Sequence, residues 1–318
     1  MQELLFLEPV KKQTIWGGNS LAEAYGFGDP GEPIAEAWAV SAHPAGACAV
    51  SGGVYDGKTL GQLWEQQPEL FACPEQPDFP LLVKLIDAAD DLSVQVHPDD
   101  ELAAERHNSY GKTEMWYIAS CREGASIYIG FKNPNITREE YLSAVNEDRL
   151  PEIMNRVEVK AGDVYFIPAG TIHALGSGVN VLEIQQTSDI TYRIYDWNRT
   201  DEQGVARELH TALAVDAIDF SSDAASCHKH YTLQTNRAVS MFDCPYFTTN
   251  IISLEGKATF DYASLDSFVL YICAEGEADI KVGDTTEHIT PYELVMIPAE
   301  ADMVTLSGEA KLLEVYIK

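Results

Sequence analysis

Short apolar runs stopped by Gly, Pro, Asn or Asp fill most of this chain, among them GACAVSGG, FPLLVKLIDA, ASIYIGFKN, GDVYFIPAG and VNVLEIQQTSD. Such runs, rich in β-branched and aromatic residues and separated by turn formers, read as strands. Many of them in series predict a mainly β fold, a sandwich or a barrel. At 318 residues the chain can bury two units of that kind. Helical periodicity is confined to Thr59 to about Glu69, Asp99 to about Arg106, Thr137 to about Asn155, and Arg207 to about Ile218. The third opens on Thr137-Arg138-Glu139-Glu140, where the Thr hydroxyl and the Glu140 carboxylate can satisfy two backbone N–H groups at the helix start.

After Asp219 the sequence turns small and polar (FSSDAASCHKHY), and short strands resume near Arg237. The two halves then repeat each other. Ala161–Leu175 (AGDVYFIPAGTIHAL) aligns with Thr290–Val304 (TPYELVMIPAEADMV), and MWYIASCREGASIYIG aligns with FVLYICAEGEADIKVG through one gap. A duplicated β unit follows. The expected division is residues 1–220 as the domain that carries the chemistry, with helical insertions, 221–236 as linker, and 237–318 as a degenerate second domain.

Charge narrows the partners. Fifty acidic against 21 basic side chains give a formal charge of -29, a field that repels nucleic acid and anionic membranes. An anionic substrate would therefore need its own local cluster of cations, and the few Lys and Arg positions carry information. Cys48, Cys73, Cys121, Cys227, Cys244 and Cys273 are scattered with no C-x-x-C pair, which reads as reduced thiols in a cytoplasm. MQELLFLEPVKKQ has no basic leader region, and PLLVKLID and SFVLYICA fall far short of the roughly 20 residues of a membrane span. The expected chain is cytoplasmic, a monomer or weak homo-oligomer.

The segment Gly162-x5-Pro168-x-Gly170-x2-His173 resembles the second motif of the cupins, jelly-roll barrels that hold a metal inside. Its glycines permit the turn, Pro168 sets φ beside it, and the strand leaving the turn aims His173 inward. Upstream, LSVQVH places Ser93, Gln95 and His97 on one strand face and Leu92, Val94 and Val96 on the other. If the polar face lines the barrel, His97 and His173 supply imidazoles, Glu114 a carboxylate and Gln95 a weaker amide oxygen. Two nitrogens with oxygen donors and no thiolate suit a borderline divalent ion, zinc first, with one position open. In the second half Met303 stands where His173 does, Glu300 replaces Gly170, and Ser267 or Asp266 replaces Glu114, so the duplicate is expected to lack the metal.

Nearly the whole chain is similar to the type I mannose-6-phosphate isomerases in their short bacterial form. The likeness runs through TIWGG, EAWAVSAHP, FPLLVKLIDA, LSVQVHPDD, YGKTEMWY, the Pro-x-Gly-x2-His segment and LEIQQTSDITYRIYDW. It implies two cupin barrels and a zinc enzyme interconverting mannose 6-phosphate and fructose 6-phosphate, with Gln95, His97, Glu114 and His173 as metal ligands. Arg193 matches the family's active-site arginine, and Lys112 and Glu183 match further active-site positions. The stretch TYRIYDW departs from longer relatives, which leaves the outer sugar and phosphate contacts open.

The residues suit that chemistry. Aldose–ketose isomerisation passes through an enediolate whose oxygen takes up negative charge, which a bound cation can stabilise. Arg193 offers a planar fork, Lys112 a point charge, and Glu183 a proton shuttle. Each has a plainer alternative: Arg193 can pair with Asp189 or Asp196, and Glu183 can serve as a structural partner of Arg193 or Lys112. Lys84, alone in an apolar strand, either snorkels to solvent or is held inside by an anion, and is taken with Ser93 as a substrate contact. Trp16 and Trp38 read as barrel packing. The remaining histidines have no spacing partner and read as surface or core residues. Two rival readings are an iron-dependent cupin oxygenase, which usually needs a further His, and a sugar-binding cupin without catalysis, for which Lys112, Glu183 and Arg193 would be superfluous.

Overall fold

The computed structural model describes residues 4–26, 31–72, 76–200 and 203–317. It is mainly β and divides into two compact units. The first contains Met1–Val10, Trp38–Leu82 and His230–Lys318, the second Lys11–Ala37 and Val83–Lys229.

In the second unit Val164–Ile167, Glu114–Cys121 and Val179–Gln186 lie side by side and antiparallel. Facing them is a five-stranded sheet in the order Tyr192–Tyr195, Val94–Val96, His173–Leu175, Ser126–Phe131, Met154–Glu158. Trp16, Ile86, Trp116, Ile127, Leu175 and Val181 are part of one buried cluster. Val94 and Val96 join a second cluster with Phe131, Tyr141, Tyr192 and Val215, to which the helices Arg138–Asn146 and Thr211–Ala217 contribute. Those helices therefore cover the face that carries the valines. Strand parity then sends Ser93, Gln95 and His97 the other way. Both motif glycines are left-handed, Gly162 (φ 89°) in the turn before the strand Val164–Ile167 and Gly170 (86°) in the turn that presents His173. A Cβ on Gly170 would also sit 3.1 Å from the Ala217 carbonyl oxygen.

The first unit is built on long strands. Thr248–Asp261 pairs along its whole length with Met303–Tyr316, which pairs in turn with Val269–Val282. Leu294–Ile297, Leu5–Glu8 and Ala49–Val50 continue the sheet. The core contains Tyr271, Ile280, Val295, Ile297, Leu306 and Leu312. Residues near the N-terminus thus belong with the C-terminal strands through Leu5↔Met296 and Leu7↔Val50 pairing. Residues 1–220 are divided between the two units, and the last change of unit falls at His230. Residues 221–236 carry the short helix Ala224–Cys227 and the strand His228–Lys229.

Two helices start where their caps predict: Thr59 caps Leu60–Gln66 with a full capping box, and Asp99 caps Asp100–His107. Two differ. Thr137 caps Arg138–Asn146 as expected, but Asp148 turns left-handed (φ 59°) and the chain re-forms only the short helix Leu150–Ile153 before the strand Met154–Glu158. The fourth begins at Thr211, because His210 N donates to the Arg193 carbonyl oxygen (2.6 Å) and holds the preceding residues against a strand.

The duplicated units also show a different register from the sequence alignment. Ile167 pairs with Glu114 and Tyr165 with Trp116, while Ile297 pairs with Val269 and Val295 with Tyr271. Val269, rather than Ser267 or Asp266, therefore occupies the place of Glu114. On the next strand Glu183 pairs with Trp116 and Glu314 with Tyr271, so Glu314 is the counterpart of Glu183. Cys48, Cys121, Cys227, Cys244 and Cys273 are free thiols, and Cys73 lies outside the described residues. No described helix is long and apolar enough to cross a membrane.

Candidate metal centre and cavity

His97, Glu114 and His173 converge from three strands or strand ends, each buried, with one ligand atom apiece within 4.8 Å of the others. His173 Nε2 is 3.3 Å from Glu114 Oε1, and His97 Nε2 is 3.6 Å from Oε2. Both imidazoles are pinned from behind: His97 Nδ1 lies 2.8 Å from the Ile190 carbonyl oxygen, and His173 Nδ1 2.8 Å from that of Thr171. A carbonyl can only accept, so each Nδ1 carries the proton and each Nε2 turns its lone pair toward Glu114. Burial pulls the His173 imidazole down to about 4 and His97 well below its ordinary value, so both stay neutral. Glu114 Oε1 is buried with no hydrogen-bond partner. Burial, then the charge of Glu183, pushes the Glu114 carboxyl up. Two neutral nitrogens and a buried carboxylate oxygen without a hydrogen-bond partner fit a divalent cation, which that oxygen could ligate. The Gln95 amide reaches the same point, its Nε2 3.3 Å from His173 Nε2, and a half-turn of the amide would exchange nitrogen for oxygen there.

Lys112 Nζ stands 2.9 Å from Glu114 Oε2 and 3.1 Å from His97 Nε2. Beside the centre, Glu183 Oε2 accepts from Trp116 Nε1 (2.9 Å), and its Oε1 is 3.2 Å from Lys84 Nζ. Burial opposes ionisation of Glu183, but the charges of Lys84 and Lys112 outweigh it and lower the carboxyl. For Lys84, burial favours the neutral amine and is outweighed by Glu183, Glu36 and Glu114, so the ammonium is held above its ordinary range. Lys84 is thus held inside by protein carboxylates, Glu183 and Glu36 (3.7 Å), rather than waiting for an anion from solution.

Of these groups Glu36, Lys84, Lys112, Trp116 and Glu183 line a cavity of about 350 Å³. Ser93, Gln95, Lys84, Lys112, Glu183 and Arg193 all line it, so every expected catalytic or substrate-contacting side chain reaches one space. Trp16 lines the cavity as well as packing the core. Thr191 and Arg193 share the cavity face, but a register shift between Arg193 and Tyr195 turns Tyr195 to a separate, smaller pocket. Arg193 does not pair with Asp189 or Asp196 as its chief contact. Its Nη1 donates to the Glu208 carbonyl oxygen (3.0 Å), its Nε is buried without a hydrogen-bond partner, and its backbone N–H donates to His210 Nδ1 (3.1 Å). Thr14, Glu36 and Arg207 also line the cavity. Sequence reasoning passed over them, although a rare arginine in so acidic a chain was the available signal for Arg207.

Two family models match this chain: phosphomannose isomerase type I, catalytic domain, over residues 4–124, and mannose-6-phosphate isomerase, cupin domain, over residues 238–317. Mannose-6-phosphate isomerase ManA of Bacillus subtilis is 38% identical, over 97% of this chain and 97% of its own length. The mannose-6-phosphate isomerase of Streptococcus mutans is 38% identical over 89% of this chain and 88% of its own. The crystal structure of the mannose 6-phosphate isomerase from Bacillus subtilis superposes with a TM-score of 0.92 at 37% identity, covering 99% of this chain and 100% of that one. A variant of phosphomannose isomerase from Salmonella typhimurium, 18% identical with a TM-score of 0.80, shares the fold over 99% of both chains. With likeness of this extent and a matching pair of domains, the chain belongs to the type I phosphomannose isomerase family.

Proposed function

We propose that this chain interconverts mannose 6-phosphate and fructose 6-phosphate in mannose metabolism, using one zinc ion held by Gln95, His97, Glu114 and His173. The observation that carries the metal reading is the pair of imidazoles pinned through Nδ1, with both Nε2 atoms facing a buried carboxylate oxygen that has no hydrogen-bond partner. When bound, the ion supplies Lewis-acid stabilisation of the oxygen on which negative charge builds. Glu183, kept ionised by Lys84 and Lys112, accepts the proton from the carbon next to the carbonyl and returns it to the neighbouring carbon, the substrate passing through an enediolate. Lys112 sets a fixed positive charge beside the reacting oxygens. Arg193 turns its guanidinium into the same cavity and orients the substrate. Ser93 offers a hydroxyl on the wall. The free thiols fit work in a reducing cytoplasm.

The test is a coupled assay of purified protein on both sugar phosphates, with metal analysis. Turnover should vanish on exhaustive chelation and return with zinc. Turnover that survives complete metal removal would overturn the metal role; oxygen consumption with iron and no isomerisation would replace the reading with an oxygenase.

A further inference from the structure

The cavity has a depth gradient. The side chain of Lys112, next to the metal centre, is 4% exposed, whereas that of Arg207 is 29% exposed. Arg207 therefore marks the mouth. It arrives on residues 207–210, which are tied to Arg193 by three bonds: Arg193 Nη1 donates to the Glu208 carbonyl oxygen, His210 N donates to the Arg193 carbonyl oxygen, and Arg193 N donates to His210 Nδ1. The two guanidinium groups are close enough that the charge of Arg207, after burial, lowers the affinity of Arg193 for its proton.

Arg207 is also aimed. Its Nε and Nη2 donate to Asp196 Oδ2 (2.8 Å) and Oδ1 (2.5 Å). That fork fixes the plane of the guanidinium and leaves the Nη1 edge on the side away from the carboxylate. Asp196 is 6% exposed and also accepts from Arg199 Nη2 (2.7 Å), so two guanidinium groups share this one carboxylate. Arg199 is also paired with Asp90 (3.4 Å), and Arg193 and Arg207 are the cations that line the cavity here, in a chain whose formal charge is -29. Asp189 is the opposing charge on the cavity wall, and it is exposed, where solvent screens it. The other cavity cations are committed deeper in: Lys84 to Glu183 and Glu36, Lys112 to Glu114.

We propose that Arg207, clamped by Asp196, is a specificity-determining residue that joins Arg193 in receiving the phosphate of the substrate. The inference rests on the isomerase reading above and adds the phosphate end to it. In a sugar 6-phosphate the phosphate lies at the far end of the carbon chain from the reacting carbonyl, so a substrate with its carbonyl beside the metal centre carries its phosphate toward the mouth. Two planar forks, one with a buried unpartnered Nε and one held by a carboxylate, suit a dianionic phosphate better than a neutral hydroxymethyl group.

The experiment compares wild type, Arg207→Met and Arg207→Lys, each with zinc content and circular dichroism recorded. Arg207→Met should raise KM for mannose 6-phosphate about tenfold or more, the effect of a lost hydrogen bond to a charged group. It should weaken competitive inhibition by inorganic phosphate by a similar factor, with the loss falling mainly on KM rather than kcat. Arg207→Lys keeps charge and stem but loses the fork, and should raise KM at least about threefold. A KM and a phosphate inhibition constant within about twofold of wild type in Arg207→Met overturn the proposal. If Arg207→Met fails to fold, a wild-type KM in Arg207→Lys does so. Should the wild-type chain not isomerise mannose 6-phosphate, the isomerase reading falls separately. The phosphate site is then judged by thermal stabilisation with inorganic phosphate, expected in wild type and absent in either variant; no stabilisation of wild type refutes it.

Discussion

Lys84→Met asks whether a buried lysine serves the fold or the ligand. The strand Leu81–Ala88 is buried throughout, and Lys84 Nζ lies 3.2 Å from Glu183 Oε1 and 3.7 Å from Glu36 Oε2. At 3.2 Å and an effective dielectric of about 20 the attraction to Glu183 is roughly 5 kcal/mol, offset by the cost of desolvating both ions. Removing one partner leaves the other charge uncompensated, and the expected loss is about 3–5 kcal/mol, less whatever Lys112 and Trp116 still supply to Glu183. Lys84→Met should therefore destabilise the protein by about 3 kcal/mol in urea unfolding. The double variant Lys84→Met with Glu183→Gln should cost at least about 2 kcal/mol less than the sum of the singles. The pH dependence has a fixed sign. Glu183 titrates below its unfolded value of about 4.3, so its contribution is present above that pH and is lost as pH falls through the folded value. Lys84 titrates above its unfolded value of about 10.4, so its contribution is present below that pH and is lost as pH rises past it. The gap between wild type and Lys84→Met should be level from about pH 5 to 10 and narrow outside it. A loss under about 1 kcal/mol, together with a tenfold rise in KM for mannose 6-phosphate, would refute the reasoning and make Lys84 a substrate ligand.

Other expectations are simpler to check. His173→Ala should lose bound zinc and turnover while the far-ultraviolet circular dichroism stays that of wild type; retention of stoichiometric zinc would count against the proposed ligand set. Glu314 is raised by burial, against hydrogen bonds from Tyr262 and Asn250, so its ionisation opposes folding and wild-type stability falls as pH rises past its unfolded value of about 4.3. Glu314→Gln should thus be less damaging at pH 8 than at pH 5, and a melting-temperature difference that moves the other way would contradict this. Thr137→Ala removes a cap accepting from Glu140 N (3.2 Å) and should cost about 1 kcal/mol in thermal unfolding.

The convergence of His97, Glu114 and His173 was legible because strand parity and a turn motif both dictate which side chains face inward, and burial leaves little freedom once one face is apolar. The counterpart of Glu114 in the second half was not, because a one- or two-residue slip in alignment is cheap on paper while the ladder fixes Val269. Lys84 announced a buried charge, but a sequence cannot say whether its counter-ion is protein or ligand. Arg207 was hidden in a stretch whose composition reads as helix; only the bonds between Arg193, Glu208 and His210 show that it is a strap. The unit boundaries depend on pairings such as Leu5↔Met296, which join distant parts of the chain and leave no local trace.

The carboxyl of Glu314 occupies the ladder position of Glu183 in different surroundings. Flanked by the phenols of Tyr262 and Tyr271 and the amide of Asn250, it needs no counter-ion, whereas Glu183 depends on ammonium neighbours. One half thus sets its buried carboxylate among cations beside a candidate metal centre, and the other satisfies its carboxylate with neutral donors. On the proposed function, removing metal should abolish turnover and leave the melting of the C-terminal strands unchanged.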